Sequence, residues 1–140
     1  MILRHVLSVP AFMLVSFAAQ GLSHFVINAA HFASIDHLRA EPIIPMGLAA
    51  MVVQGLIMSV ALHQWRGRTA RLVDGIIVAG AFGLFLVAYI ALVEPAKYTV
   101  PNIPTWIGIE AGMGVIQFTL FGLLLGVIHA WRGIPTRTDA

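Results

Sequence analysis

Four long stretches of this 140-residue chain carry almost no formal charge. Three uncharged stretches lie between Arg4 and Asp36, between Glu41 and Arg66, and between Asp74 and Glu94, and the fourth, from Lys97 to Arg132, is interrupted only by Glu110. A helix of about 20 apolar residues crosses the hydrocarbon core of a bilayer. Backbone polar groups in lipid must be paired within their own segment, which requires helices. The pattern predicts an all-α protein, a four-helix transmembrane bundle in contact with the lipid bilayer.

The composition excludes several other classes of protein. Charged residues make up 10% of the chain, whereas a soluble domain carries about 25%. There is no cysteine, so disulfides and thiolate ligands are excluded. The basic residues are divided among loops and form no patch, which argues against nucleic acid as a partner. No phosphate-binding loop or nucleophile elbow occurs, so we assign no catalytic residue and favour a non-enzymatic protein.

We predict one transmembrane domain over residues 1–132, with spans at about 6–30, 45–65, 72–93 and 104–131, and a polar cytoplasmic tail over 133–140. The first stretch stays apolar as far as Ile35. A signal-peptide core has about 7–15 residues, so we interpret this stretch as a retained helix.

The distribution of basic residues predicts the orientation of the spans. One side of the membrane would hold Arg4, Arg66, Arg68, Arg71, Arg132 and Arg137, and the other only Arg39 and Lys97. Positive residues concentrate on the cytoplasmic side. We therefore expect both termini in the cytoplasm, in a bacterial inner membrane.

A sequence pattern occurs twice along the chain. Glu-Pro begins both outer loops, at Glu41 and Glu94, and His-x-Trp-Arg-Gly ends the second and fourth helices, at His63 and His129. The pattern indicates two helix-pair repeats that run in the same direction. Interfacial anchoring by Trp-Arg explains the second motif equally well.

Glu110 is the only formal charge inside a predicted span, about 9 Å from the outer end of its helix. Such a carboxylate is costly in lipid unless it is paired, wet or protonated. Polar residues of the other helices fall in the same outer half: Gln20, His24, Gln54 and Tyr89. This layer is either a buried ligand or proton site or a hydrogen-bonded core that fixes the register of the helices.

Histidines suggest two further sites. His31, Asp36, His37 and Glu41 offer imidazole and carboxylate ligands for a metal ion near the outer surface. His63 and His129 lie at the same level near the cytoplasmic ends of their helices, where they could ligate a haem, or could simply be interfacial. We expect His5, beside Arg4, to be solvated.

Glycines at small-xxx-small spacing predict close helix packing in the fourth span, at Gly108, Gly112, Gly122 and Gly126. The spacing is compatible with packing inside one chain and with packing against a partner.

Three segments resemble those of small four-helix bacterial inner-membrane proteins of unknown function: Glu41–Leu48 (EPIIPMGL), Glu94–Trp106 (EPAKYTVPNIPTW) and Gln117–Gly126 (QFTLFGLLLG). The resemblance implies four spans and assigns no activity. From the small size and the small-residue faces we expect a non-enzymatic accessory or assembly subunit, which packs against other membrane-protein subunits or against itself. The alternative is a small transporter or a haem- or metal-binding protein that uses the layer around Glu110. A third hypothesis, ranked last, is a membrane-embedded enzyme that acts on a lipid or quinone.

Overall fold

The computed structural model describes residues 2–36, 39 and 41–131, and this part of the chain folds into helices without a strand. The helices are α1 (Ile2–Leu22), α2 (Ala29–Ala33), α3 (Ile44–Arg66), α4 (Leu72–Ala88), α5 (Glu94–Lys97) and α6 (Ile103–Ala130). A π-helical turn, Ser23–Ile27, extends α1, a 3-10 turn, Gly67–Thr69, extends α3, and a second π-helical turn, Tyr89–Val93, joins α4 to α5.

Four long apolar helical segments form the bundle, which confirms the predicted fold class. They are the first span (Ile2–Ile27), the second (Ile44–Thr69), the third (Leu72–Lys97) and the fourth (Ile103–Ala130). The first span begins four residues before the predicted start at residue 6, and the third continues four residues beyond residue 93. The predicted tail, 133–140, lies outside the described residues.

Local sequence explains where the spans begin and end. Pro45 and Pro104 stand in the first turns of α3 and α6, where a missing N–H is tolerated. The Asn102 side chain accepts a 2.9 Å hydrogen bond from the Thr105 backbone and caps α6. Gly67, with φ of +53°, ends α3 in a conformation that favours glycine.

Sequential spans are neighbours, and the fourth also packs against the first, so the chain runs up and down around the bundle. One end, here named the basic end, holds Arg4 and the Gly67–Thr69 turn. The Arg4 guanidinium donates to the carbonyls of Gly67 at 3.4 Å and Trp131 at 3.1 Å, which ties three spans together there. The other end, here named the loop end, holds the 28–43 and 98–102 connections.

Glycine brings the third and fourth spans into the closest contact of the bundle. A Cβ added to Gly75 would lie 2.3 Å from the Gly126 nitrogen, and one on Gly122 would lie 2.8 Å from the Cα of Ile76. Gly108 and Gly112, by contrast, face open space. The fourth span therefore has one glycine pair inside the bundle and another on its surface.

A buried aromatic and aliphatic core fills the middle of the bundle. Phe12, Phe121, Leu62 and Leu125 are completely buried. Large apolar side chains such as Leu84 and Phe85 are more than 70% exposed. Apolar residues that point outward along four spans are typical of a surface solvated by lipid, so the chain is an integral membrane protein.

Candidate ligand site

A cavity of about 190 Å³ lies in the half of the bundle nearer the loop end. Its polar lining comes from three of the four spans and consists of Ser16, Gln20, Gln54, Glu110 and Gln117. Three residues of the predicted polar layer, Gln20, Gln54 and Glu110, therefore face one shared space. This volume alone is smaller than the 300–1,000 Å³ of typical small-molecule pockets.

Hydrogen bonds organise one wall of this cavity. Gln20 Nε2 donates to Gln117 Oε1 at 2.8 Å, and Gln117 Nε2 donates to Ser16 Oγ at 2.9 Å. Gln117 and Ser16 are buried. The bonds join the first and fourth spans. They use one N–H of each glutamine and leave Gln20 Oε1 as an acceptor.

Glu110 also lines the cavity, half-buried, about 10 Å from the loop end of its helix. Within the described residues its carboxylate has neither a hydrogen bond nor a salt bridge; the two salt bridges found there join Arg66 and Arg71 to Asp74 at the basic end. Among the described residues, no Lys, Arg or His lines the cavity beside it. A charge on Glu110 would therefore have no counter-charge in the lining.

An apolar groove of about 480 Å³ runs beside the cavity, between the second and third spans. Gln54, Leu86 and Phe118 line both spaces, so the groove and the cavity are adjacent. The outer wall of the groove includes Ile57 and Phe85, which are 48% and 79% exposed. The second and third spans pack least closely among neighbouring spans. The groove is therefore open to the lipid.

His24 and Tyr89, the other two members of the predicted layer, lie outside this cavity. The His24 ring stacks on Phe32 with centroids 3.7 Å apart, and its Nδ1 is 3.0 Å from the Gln20 carbonyl oxygen. Tyr89 is 49% exposed, and its hydroxyl accepts a 3.5 Å hydrogen bond from Lys97. Both residues belong to π-helical turns: Ser23–Ile27 contains His24, and Tyr89–Val93 begins at Tyr89.

Three of the four residues predicted as metal ligands, His31, Asp36 and Glu41, lie within the described part of the chain. Asp36 and Glu41 are exposed, and His31 packs against Phe32 and Trp106. Over residues 2–36, 39 and 41–131, no three His, Asp or Glu side chains stand in an arrangement that could hold a metal ion. His37 lies outside these residues, so a ligand set that includes it stays a prediction.

His63 and His129, the predicted haem ligands, both lie at the basic end, where His5 joins them. The His5 ring is 5.4 Å from that of His63 and 6.0 Å from that of His129, centroid to centroid. Ser59 Oγ lies 2.9 Å from both His5 Nδ1 and His129 Nε2. A porphyrin between the two predicted ligands would have to displace these groups. His5 is half-buried and forms part of this polar cluster.

Four polar residues of these two clusters were missed by the sequence analysis: Ser8, Ser16, Ser59 and Gln117. Ser8, Ser16 and Ser23 recur every seven or eight residues on the buried face of the first span. Helical spacing brings such residues onto one stripe, so this signal was present in the sequence. Gln117 follows Glu110 by seven residues on the same helix, so the same spacing signal was present for it.

The chain matches no protein-family model, no curated protein and no solved structure.

Proposed function

We propose that this integral membrane protein binds an amphipathic small molecule that enters from the lipid. The observation that carries the proposal is the adjacency of the apolar groove and the Glu110 cavity, which share Gln54, Leu86 and Phe118. An apolar wall with a few convergent polar groups is the usual form of a small-molecule site. The tail of the ligand would lie against Ile57 and Phe85, and its head among the glutamines.

The location of the polar groups supports this role over a purely structural one. A polar layer that only fixes helix register needs its members to be paired with one another. Gln20, Gln117 and Ser16 meet this condition, whereas no hydrogen bond from the Gln54 or Glu110 side chain occurs in the described part of the chain. One of these two unpaired groups, Gln54, lines both the cavity and the groove. The same features are those of a small transporter, which would bind its substrate there.

Binding can be measured with the purified protein in phosphatidylcholine nanodiscs. Radiolabelled decylamine and decanol serve as probes, and empty nanodiscs give the partition of each probe into lipid. We expect at least one probe to bind in excess of lipid partition and to saturate at one per chain. Failure of both probes to saturate would overturn the proposed function.

A pair of variants on the third span locates the bound probe. Ala81 lines the groove, so Ala81→Phe would fill it and should weaken binding about tenfold or more. Ala88 is exposed on the same span and is absent from the groove lining, so Ala88→Phe should bind as the unmodified protein does. Equal binding by both variants would place the probe elsewhere.

A second candidate function is that of an accessory or assembly subunit in a bacterial inner membrane, in keeping with the resemblance to small inner-membrane proteins. Its support is the exposed Gly108 and Gly112 pair, where nothing within 4 Å would contact an added Cβ. Small residues at this spacing let another helix approach closely. Stoichiometric co-migration with another subunit in mild detergent, lost on Gly112→Leu but kept on Gly80→Leu, would support this role. Gly80 is the matched control because it is also exposed with open space around it.

A further inference from the structure

We propose that the head of the ligand is a protonated amine, so that the site selects lipophilic cations over neutral and anionic amphiphiles. This inference rests on the proposed function, since it specifies the ligand of the same cavity. Among the described residues, Glu110 is the only carboxylate in the lining of the cavity, and no Lys, Arg or His lines it. A cation would supply the missing counter-charge at this position.

The charges of the surrounding spans leave the site without internal compensation. In the described part of the chain, the ion pairs of Arg66 and Arg71 are directed to Asp74, at the far end of the bundle. Arg4 donates to backbone carbonyls at the same end. Near the loop end, Lys97 donates to the Tyr89 hydroxyl outside the cavity, and Arg39 is exposed and does not line the cavity. Among the described residues no cation in the lining balances Glu110, and a cationic ligand would supply that balance.

The direction of the hydrogen bonds favours the same ligand. One N–H of Gln20 is directed to Gln117 and one N–H of Gln117 to Ser16, and the acceptor Oε1 of Gln20 has no donor among the described residues. An ammonium group carries three N–H donors and no acceptor. It therefore matches a lining that presents carboxylate and amide oxygens. An alcohol supplies a single donor, and a carboxylate would be repelled by Glu110.

Removal of one partner from a desolvated charge pair costs a factor on the order of thirty or more in affinity. In phosphatidylcholine nanodiscs at pH 7, we therefore expect decylamine to bind at least about thirtyfold more tightly than decanol, after correction for lipid partition, with decanoate not bound. Glu110→Gln should reduce decylamine binding to the level of decanol. Glu41→Gln removes the same charge from the exposed loop end and is the matched control, expected to leave decylamine binding unchanged.

The outcomes separate this inference from the proposed function. Equal saturable binding of decylamine and decanol to the unmodified protein would overturn the selectivity for cations while leaving a ligand site. Decylamine binding that survives Glu110→Gln would overturn the role of Glu110 as counter-charge. Absence of saturable binding by either probe would overturn both proposals. The comparison of probes on the unmodified protein holds even if Glu110→Gln does not fold.

Discussion

Ser59 connects two histidines through one hydroxyl group. Its Oγ lies 2.9 Å from His5 Nδ1 and 2.9 Å from His129 Nε2, and a hydroxyl carries a single proton. Ser59 can donate to one ring only, so the other ring must bring its own N–H to the serine oxygen. The tautomers of the two histidines are therefore coupled. Ser59 and His129 are completely buried, so we expect the hydrogen bonds of this cluster to stabilise the basic end of the bundle.

Ser59→Ala should destabilise the protein by about 1–3 kcal/mol, because it leaves ring nitrogens of two histidines without their partner. The free energy of unfolding can be measured by titration with a denaturing detergent in mixed micelles. Ser34→Ala is the control: the Ser34 hydroxyl also donates a hydrogen bond, to the His31 carbonyl, but it is exposed. The control should change stability by about 0.5 kcal/mol or less. Similar losses from both variants would contradict the bridging role of Ser59.

The sequence predicts a residue of the candidate site where a charged side chain stands in an otherwise apolar helix. Glu110 was found in this way, and it lines the cavity. Gln20 and Gln54 were found because spacing gives the depth of a residue along a helix. His24 and Tyr89 were placed in the same layer by the same spacing, and the structure puts both outside the cavity. Depth alone cannot decide which way a side chain faces, and that is set by tertiary packing.

At the scale of single elements, π-helical turns occur at corresponding places in the two halves of the chain. Ser23–Ile27 follows α1, and Tyr89–Val93 follows α4; each is followed by a short α-helix. This shared order favours the repeat suggested by the sequence motifs. A π turn changes the hydrogen-bond pairing of the helix carbonyls. Within this one, the Ile90 carbonyl accepts a 3.1 Å hydrogen bond from the Trp106 indole N–H. The periodicity of the apolar residues does not predict such a turn.

Close contact between α4 and α6 depends on glycines that cannot be replaced. Gly75→Ala would place a Cβ 2.3 Å from the Gly126 nitrogen, so the two helices would have to separate. We expect a loss of at least about 1–3 kcal/mol in the free energy of unfolding. Detergent-titrated unfolding of the purified variant measures it.

Gly112→Ala is the matched control for this prediction, because Gly112 lies on α6 with open space around it. Alanine is a better helix former than glycine by about 1 kcal/mol in a soluble helix, so this variant should be as stable as the unmodified protein or more stable. Destabilisation by Gly112→Ala as large as that by Gly75→Ala would show that the measured loss does not come from the α4–α6 contact. The sequence identified both kinds of glycine by spacing but could not say which face each occupies.

For the whole molecule, the arrangement of four spans follows from hydropathy, because backbone groups in lipid leave few alternatives to a helix. The order of packing does not follow in the same way. The tight contact of the third span with the fourth and its loose contact with the second depend on where small and large side chains meet. That difference creates the groove, and with it the proposed ligand site, which hydropathy and spacing therefore could not predict.

The distribution of basic residues predicts the orientation of the bundle in the membrane. Arg4, Arg66, Arg68 and Arg71 gather at the basic end, so this end should face the cytoplasm. The chain has no cysteine, so single cysteines can be introduced without background: Ser34→Cys at the loop end and Thr69→Cys at the basic end, both at exposed positions. In intact bacterial cells a membrane-impermeant maleimide should label the first variant, and it should label the second only after permeabilisation. The reverse pattern would contradict the orientation. It would also place the Glu110 cavity nearer the cytoplasmic surface, so that a lipophilic cation would reach it from the opposite leaflet.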